Sequence, residues 1–226
     1  MIFVISAPSG AGKTTLINKL LEVENRLMFS ISTTTRRKRD EEVDGINYYF
    51  VSKDEFCKMI DNDEFVEWAE VYGNYYGTTK NEILRIIEDG KIPLFDVDIQ
   101  GSVSLRKKIK NGTFVFIIPP SYDDLKRRLI DRKTENEEQL NLRLKNAYKE
   151  LNEYSNFDYI IINNKIDVAS EQLRAIVITN FKPEDELDEV TDEFFIMAEK
   201  CKFENMKNKV DKILEDFKWL FHLINC

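Results

Sequence analysis

The sequence predicts an α/β fold of the doubly wound type, in which helices cover both faces of a central parallel sheet. Short runs rich in Ile, Val and Phe are apolar throughout instead of alternating, which is typical of parallel strands buried on both faces. Segments with a helical spacing of apolar residues separate these runs, and strands that alternate with helices indicate an α/β architecture. With 226 residues, of which 42% are hydrophobic, the chain is long enough to bury a substantial core.

Four apolar runs are predicted to form the strands of this sheet. They are residues 2–5, 92–97, 113–118 and 159–162. Helices are predicted from Gly12 through Val23 and in the segments 81–89, 102–110 and 121–154. Residues 32–80 break this rhythm with strand-like aromatic residues and turn glycines, which indicates an inserted sub-domain.

The C-terminal part of the chain carries a separate helical pattern. Apolar residues recur at helical spacing from Leu187 to Cys201 and, more clearly, from Phe203 to Ile224. The pattern predicts two amphipathic helices that join near Lys202. Packing onto the rest of the chain is the first interpretation of their apolar faces. An interface with a second copy or another protein comes second, and a catalytic role third.

Composition argues against several classes of protein. No apolar run approaches the roughly 20 residues of a membrane helix, and the apolar start is too short for a signal peptide. Three cysteines (Cys57, Cys201 and Cys226) and one histidine (His222) suit neither a disulfide framework nor a zinc site. We therefore expect a cytoplasmic protein. The net charge is −8, yet basic clusters such as residues 36–39 indicate local anion sites rather than a nucleic-acid surface.

A glycine-rich turn between the first strand and the first helix predicts a phosphate-binding loop. It matches the pattern G-x-x-x-x-G-K-[ST], with alanine in place of the first glycine, over Ala7, Pro8, Ser9, Gly10, Ala11, Gly12, Lys13, Thr14 and Thr15. Backbone N–H groups and a helix N-terminus in such a loop attract phosphate oxygens. Lys13 is predicted to reach the β- and γ-phosphates, and the Thr14 hydroxyl to bind Mg²⁺. The sequence therefore predicts that the chain binds a nucleoside triphosphate.

A phosphate loop alone does not separate ATPases, GTPases and small-molecule kinases. Residues 164–167 match the guanine-reading pattern N-K-x-D of GTPases, and residues 98–101 match the switch pattern D-x-x-G. Both are four-letter matches of low specificity, and the rest of the sequence favours a different family.

Several longer segments resemble the guanylate kinase family, and the resemblance is colinear over about residues 1–180. The segments are residues 32–39, 45–51, 65–70, 73–78, 96–101 and 119–121. The resemblance implies a P-loop three-layer fold with a central parallel sheet, an inserted mixed α/β GMP-binding sub-domain, a helical lid and extra C-terminal helices. It divides the chain into a P-loop core (1–31, 84–120 and 158–181), a GMP-binding sub-domain (32–83), a lid (121–157) and a C-terminal extension (182–226).

The implied reaction is the reversible transfer of the γ-phosphoryl group of ATP to GMP or dGMP, with Mg²⁺ accompanying ATP. The expected partners are these small nucleotides, with no nucleic acid and no membrane, and the chain is expected to be a monomer or a homodimer. The nucleophile is already an anionic phosphate oxygen, so no covalent enzyme intermediate is needed.

The resemblance assigns the GMP phosphate to four side chains. Arg36 and Arg39 supply planar, bidentate donors, and Tyr48 and Tyr76 supply phenolic donors. Such residues, taken alone, are more often solvated loop arginines and packing tyrosines. Their common occurrence in segments that all resemble one family favours the phosphate-binding interpretation.

Guanine recognition is assigned by the same resemblance to Glu67, Ser32 and Thr78. The Glu67 carboxylate can accept from N1–H and the 2-amino group, while both hydroxyls donate to O6. Asp96 and Asp98 lie at the end of the second core strand, at the edge where open α/β sheets place their sites. These two aspartates are expected to orient arginines, to meet the nucleotide or its Mg²⁺ through water, or both.

The predicted lid carries arginines for the ATP side. Arg128 and Arg132 are four residues apart and therefore share one helix face. The resemblance implies that Arg132 and Arg143 approach the phosphates, where with Lys13 they are the catalytic residues. It places Arg128 near the adenine and gives Asn163 an adenine contact.

Three alternatives remain from the sequence. A guanylate-kinase-like scaffold that binds phosphopeptides would have lost the phosphate loop, whereas Lys13, Thr14, Arg132 and Arg143 are present. A kinase for another monophosphate would be favoured by replacement of Glu67, which is also present. A GTPase would bind GTP tightly without requiring GMP.

Overall fold

The computed structural model describes residues 1–71, 73–131, 137–181 and 192–224, and for residues 137 and 220–224 it describes the backbone alone. Its strands are β1 (Ile2–Ser6), β2 (Leu27–Phe29), β3 (Thr33–Thr34), β4 (Tyr49–Phe50), β5 (Phe65–Val71), β6 (Asn74–Thr79), β7 (Ile92–Asp96), β8 (Gly112–Ile118) and β9 (Tyr159–Ile162). Its α-helices are α1 (Lys13–Val23), α2 (Lys53–Asp61), α3 (Lys80–Glu88), α4 (Ile99–Lys108), α5 (Tyr122–Ile130), α6 (Glu137–Leu151), α7 (Ile166–Asn180), α8 (Asp192–Cys201) and α9 (Phe203–Ile224).

The central sheet has five strands in the order β2-β7-β1-β8-β9. Strand β2 pairs with β7, and β8 with β9, in parallel register. All residues of β1 are buried, and all residues of β8 except Gly112 are buried as well. The predicted parallel sheet and its four apolar runs are therefore confirmed. The sequence prediction lacked β2, because three residues are too few to show a strand pattern.

A second sheet of four strands has the order β4-β3-β6-β5 and is mixed. Strand β3 pairs in parallel with β4, whereas β6 runs antiparallel to both β3 and β5. This mixed sheet lies within the segment that interrupts the regular alternation of strands and helices, as the sequence predicts. The predicted α/β fold class is confirmed with it.

The chain divides into two compact units. The first comprises Met1–Val4 and Asn25–Gly112, and the second comprises Ile5–Glu24 and Thr113–Cys226. The first unit contains the mixed sheet with helices α2, α3 and α4. The second contains α1, β8, β9 and helices α5 to α9. The division into core, sub-domain, lid and extension, with the boundaries given above, stays a prediction.

Side-chain caps fix where several helices begin. Ser52, Thr79 and Ser121 each accept a hydrogen bond from the backbone N–H three residues on, at the start of α2, α3 and α5. The Ser121 hydroxyl also donates to Asp124 Oδ2 at 2.9 Å. Helix α4 begins three residues earlier than predicted, because Asp98 Oδ1 accepts from the backbone N–H of Gly101 at 2.7 Å and caps it.

The two C-terminal helices are confirmed. Helix α8 ends at Cys201 and α9 begins at Phe203, so they meet at Lys202. They pack against α7, β9, α5 and α6 of the second unit, which confirms the first interpretation of their apolar faces. Tyr154 donates a hydrogen bond to Asp211 of α9. Leu187 and Val190, at the start of the predicted pattern, lie outside the described residues.

In the part of the chain that the structure describes, no helix combines the length and the hydropathy needed to cross a membrane.

Replacing Phe217 should destabilise the second unit. Its side chain is completely buried and contacts the ring of Tyr122 edge to face, at 5.4 Å between centroids. We expect Phe217→Ala to lower the free energy of unfolding by about 3–5 kcal/mol, because it opens a cavity between α9 and α5. Urea unfolding followed by far-UV circular dichroism measures this change.

The neighbouring Trp219 provides the control, since 66% of its surface is exposed. Trp219→Ala should change the free energy of unfolding by about 0.5 kcal/mol or less. Similar losses for both variants would contradict the described packing of α9.

Candidate functional site

The glycine-rich loop between β1 and α1 has the backbone of an anion site. Gly10 and Gly12 have φ of 90° and 92°, in the left-handed region that glycine adopts readily. Helix α1 begins after Gly12 without a side-chain cap and without an acidic residue in its first turn. The N-terminus of α1 is therefore suited to a negatively charged ligand.

Close packing adds a second reason for glycine at both positions. A Cβ atom on Gly10 would lie 2.8 Å from Leu125 Cδ1. A Cβ atom on Gly12 would lie 2.5 Å from Asn163 Nδ2. A side chain at either position would displace its neighbour, so the loop conformation depends on both glycines.

Two polar side chains hold the loop backbone from inside the second unit. Asn163 is 4% exposed and donates from Nδ2 to the carbonyl oxygen of Ala11 at 2.8 Å. Arg128 donates from Nη2 to the carbonyl oxygen of Asn163 at 2.8 Å, and from Nη1 to that of Ala11 at 3.4 Å. Both residues therefore position the loop. Their predicted contacts with adenine stay predictions.

The other residues predicted for ATP have different positions. Lys13 and Thr14 are the first residues of α1, with Lys13 half-buried and the Thr14 side chain exposed. Arg143 is half-buried on α6. Arg132 lies outside the described residues. The structure thus places Lys13 and Thr14 together at the loop.

The two GTPase-like matches have structural explanations. Residues 98–101, which match D-x-x-G, form the N-terminal cap of α4, where Asp98 accepts a hydrogen bond from the backbone N–H of Gly101. In the N-K-x-D letters, Asp167 is exposed and pairs with Lys19 of α1 at 2.9 Å. Asp98 and Asp167 therefore each have a partner within the chain.

A cavity of about 200 Å³ lies in the first unit. This volume exceeds that of several water molecules, at about 30 Å³ each. Its lining combines apolar side chains with polar and acidic ones: Phe29, Ser32, Asn47, Tyr48, Glu67, Ala69, Val71, Tyr76, Asp96, Val97 and Asp98. Six of the nine residues predicted for GMP are among them, and Thr78, Arg36 and Arg39 are not.

Glu67 is the buried acid of this cavity. It lies on β5 and is only 4% exposed. Thr78, its cross-strand partner on β6, donates from Oγ1 to Glu67 Oε1 at 2.9 Å. The pKa of Glu67 is raised to about 7, mainly by burial; the bond from Thr78 opposes this rise, and the nearby charge of Asp98 contributes to it. The carboxyl group therefore changes its charge near neutral pH.

The position of Thr78 changes one expected detail of base recognition. Its single hydroxyl proton is donated to Glu67 and is not directed at a ligand atom. Thr78 therefore fixes the orientation of Glu67 Oε1. A donation from Thr78 to guanine O6 would require this proton to change partner.

The four residues predicted for the GMP phosphate, which we call the phosphate cluster, are Arg36, Arg39, Tyr48 and Tyr76. Three of them lie together. The guanidinium of Arg36 lies over the Tyr48 ring at 5.3 Å, and the rings of Tyr48 and Tyr76 meet edge to face at 6.1 Å. Burial is the main cause of a raised pKa at Tyr48, so its phenol stays a donor at neutral pH. The Arg39 side chain is exposed.

The two aspartates have different structural positions. Strand β7 ends at Asp96, which lines the cavity. Asp98 lies two residues later, where one of its oxygens caps α4. Their contacts with nucleotide or Mg²⁺ stay predictions.

Sequence reasoning missed the apolar walls of the cavity and one amide, Asn47. Side chains alternate between the two faces of a strand, so Glu67, Ala69 and Val71 share one face of β5. This alternation could have predicted Ala69 and Val71 as cavity residues beside Glu67. Phe29 is on the unpredicted strand β2. Asn47 accepts from the backbone N–H of Val43 at 2.8 Å, a loop contact without a sequence signature.

An α/β fold with a glycine-rich phosphate loop, a mixed-sheet insertion and a cavity containing a buried carboxylate is typical of nucleoside monophosphate kinases. A family model described as guanylate kinase matches residues 1–180. The chain belongs to the guanylate kinase family.

Known guanylate kinases resemble the chain over most of its length. The protein from Caldanaerobacter subterraneus subsp. tengcongensis is 43% identical over 216 residues, which cover 96% of each chain. That from Bartonella henselae is 45% identical and covers 78% of this chain and 80% of its own. The crystal structure of guanylate kinase from Anaplasma phagocytophilum superposes with a TM-score of 0.65 at 31% identity, over 81% of this chain and 87% of that one.

The raised pKa of Glu67 predicts a pH-dependent stability of the ligand-free protein. The unfolded chain releases this proton near the ordinary value of 4.5, whereas the folded chain retains it to about 7. The free energy of unfolding should therefore fall as pH rises between these values and then level off. Linkage over this interval gives a loss of about 3 kcal/mol.

Urea unfolding of the wild type and Glu67→Gln at pH 4.5, 6 and 8 isolates this contribution. The free energy of unfolding of Glu67→Gln should rise relative to that of the wild type as pH rises. A difference that is constant with pH would contradict the raised pKa.

Proposed function

We propose that this chain, a guanylate kinase by its family, transfers the γ-phosphoryl group of ATP to GMP through the loop and cavity described above. Similarity to known guanylate kinases over most of the chain shows the enzyme class. The residue assignments are supported mainly by one observation, the burial of the Glu67 carboxylate in a cavity that also contains most of the residues expected to bind GMP.

Guanine selectivity follows from the chemistry of Glu67. Guanine presents N1–H and its 2-amino group side by side, and an ionised carboxylate accepts from both. Adenine lacks both donors and would leave the buried carboxylate unpaired, which can cost about 10⁴-fold in discrimination. Thr78 orients this carboxylate, and the apolar side chains of Phe29, Val71 and Val97 cover the base. Ser32 is the remaining donor for O6.

The phosphate cluster binds the phosphate of GMP. The Arg36 guanidinium offers planar donors, and the phenols of Tyr48 and Tyr76 add hydroxyl donors. Arg39 has an exposed side chain that joins this group when the phosphate arrives. Asp96, whose charge acts on Tyr48, and Asp98, whose charge acts on Glu67, help to orient the nucleotide.

ATP binds at the glycine-rich loop. Backbone N–H groups of the loop and of the first turn of α1 bind the phosphates, and Lys13 contacts the β- and γ-phosphate oxygens. The exposed hydroxyl of Thr14 fits Mg²⁺, because this ion prefers oxygen ligands and takes most of them from water and nucleotide phosphates. When bound there, Mg²⁺ supplies charge neutralisation between the phosphates.

Catalysis consists of positioning and charge stabilisation. A phosphate oxygen of GMP attacks in line, so no covalent enzyme intermediate forms. Lys13, with Arg132 and Arg143, stabilises the charge on the transferred group. Arg128 and Asn163 hold the loop and border the adenine. We further propose a cytoplasmic monomer or homodimer with no nucleic-acid or membrane partner.

The reaction is tested by coupled ADP release with ATP, Mg²⁺ and each of GMP, AMP, UMP and TMP. We expect turnover with GMP alone. Glu67→Gln should lower kcat/KM for GMP by about 10- to 100-fold, because it removes a charged hydrogen-bond acceptor, and should narrow the preference for GMP over AMP.

Glu70→Gln is the matched control, since Glu70 is an exposed acid on the same strand. Glu70→Gln should leave kcat/KM for GMP and the preference for GMP over AMP unchanged. Unaltered discrimination between GMP and AMP in Glu67→Gln would refute the assignment of the base-reading residue.

Lys13→Ala tests the loop assignment separately. Loss of a preorganised positive charge should reduce phosphoryl transfer by about 10³-fold, while calorimetry should still detect GMP binding. Lys19→Ala, on the same helix but paired with Asp167, should retain turnover. Normal turnover in Lys13→Ala would overturn the loop assignment, and silence of the wild type with all four acceptors would favour a binding scaffold.

A further inference from the structure

We propose that Glu42 is a positioning residue for the phosphate cluster, whose carboxylate sets the side chain of Arg36 and the backbone of Arg39 for the phosphate of GMP. This role presupposes the function proposed above, because it takes both arginines as phosphate ligands. Glu42 lies in the segment between β3 and β4 and does not line the cavity.

The Glu42 carboxylate makes three hydrogen bonds, all within this segment. Its Oε1 accepts from Arg36 Nη2 at 2.6 Å, and its Oε2 accepts from Arg36 Nη1 at 3.0 Å. The same Oε2 accepts from the backbone N–H of Arg39 at 2.8 Å. The Arg36 and Glu42 side chains are only 18% and 12% exposed. One carboxylate therefore connects both arginines of the cluster.

This pairing uses one edge of the Arg36 guanidinium. Arg36 Nη1 and Nη2 both face Glu42, and Nη1 donates in addition to the carbonyl oxygen of Arg37 at 2.8 Å. A guanidinium has five N–H donors in a plane, so Nε and the outer hydrogen of Nη2 form a second edge. Contacts over the Tyr48 and Phe50 rings, at 5.3 and 5.7 Å, fix this plane. A phosphate can approach the second edge without displacing Glu42.

The segment that Glu42 organises is irregular, and its second half is held by loop hydrogen bonds such as those from Val43 N–H to Asn47 Oδ1 and from Phe50 N–H to Asp44 Oδ1. Residues 35–48 form no helix and no strand, and their ladder contacts are limited to one isolated bridge between Asp44 and Tyr48. The backbone N–H of Glu42 donates to the carbonyl oxygen of Arg39 at 3.2 Å, and the backbone N–H of Arg39 donates to Glu42 Oε2. These two reciprocal hydrogen bonds close a turn between Arg39 and Glu42. A turn held this way reduces the ordering that phosphate binding has to provide.

Glu42 keeps its charge throughout the pH range in which the enzyme is assayed. The bonds from Arg36 and from the Arg39 backbone lower the pKa of Glu42 to about 2. Its carboxylate also opposes the phosphate electrostatically, so its removal could act in either direction. Positioning and repulsion therefore predict opposite changes in affinity, which makes the role measurable.

The experiment compares Glu42→Gln with Glu41→Gln, an exposed neighbour whose replacement changes the net charge equally. KM and kcat for GMP come from coupled ADP release, and affinities for GMP and for guanosine, which lacks the phosphate, come from calorimetry. Glu42→Gln should raise the KM for GMP by about 10- to 100-fold and change kcat by less than about threefold. Its affinity for guanosine should be unchanged, and Glu41→Gln should match the wild type.

Other outcomes overturn the proposal. Tighter GMP binding in Glu42→Gln would make Glu42 a competing anion, and equal weakening of GMP and guanosine would make its role generally structural. Arg36→Ala separates this inference from the proposed function. If Arg36→Ala weakens GMP but not guanosine while Glu42→Gln has no effect, the phosphate cluster stands and the role of Glu42 fails. If Arg36→Ala weakens neither, the phosphate assignment itself fails.

Discussion

The burial of one ionisable carboxylate, that of Glu67, is the constraint on which the cavity of the first unit depends. Transferring a charged group out of water is unfavourable unless donors replace the lost hydration. Thr78 supplies one donor, and the absence of a side chain at Gly101 leaves space beside the other oxygen, 3.3 Å from where a Cβ would be. The ligand-free protein therefore keeps an acceptor whose best partners are the two adjacent donors of guanine. The proposed guanine selectivity and the cost in folding stability both arise from the burial of this carboxylate.

Both proposed nucleotide sites use side chains that hold other protein groups in place. In the second unit, Asn163 and Arg128 bind the carbonyl oxygen of Ala11 and so define the loop conformation. In the first unit, Thr78 orients Glu67 and Glu42 binds Arg36. Such contacts preorganise the donors and acceptors before substrates arrive, which is how an enzyme that only positions charge accelerates a reaction.

The C-terminal helices belong to this enzyme's structure even though the family model ends at residue 180. A match of 216 residues with the Caldanaerobacter protein necessarily extends beyond that point. Phe217 of α9 packs against Tyr122 of α5, the helix that also carries Arg128. The extension thus supports the helix whose arginine holds the phosphate loop, and it does so through burial of apolar side chains.

The sequence by itself determined the central strands, the phosphate loop, the helical extension and the family, because these depend on local periodicity, glycine spacing and motifs along one stretch of chain. It did not predict β2, whose three residues pair only with a strand more than sixty residues away. It also did not predict that Asn163 binds Ala11, that Thr78 donates to Glu67, or that Glu42 pairs with Arg36. Tertiary structure decided these contacts, because the partner of a polar side chain depends on which distant backbone and side-chain groups folding brings within hydrogen-bond distance.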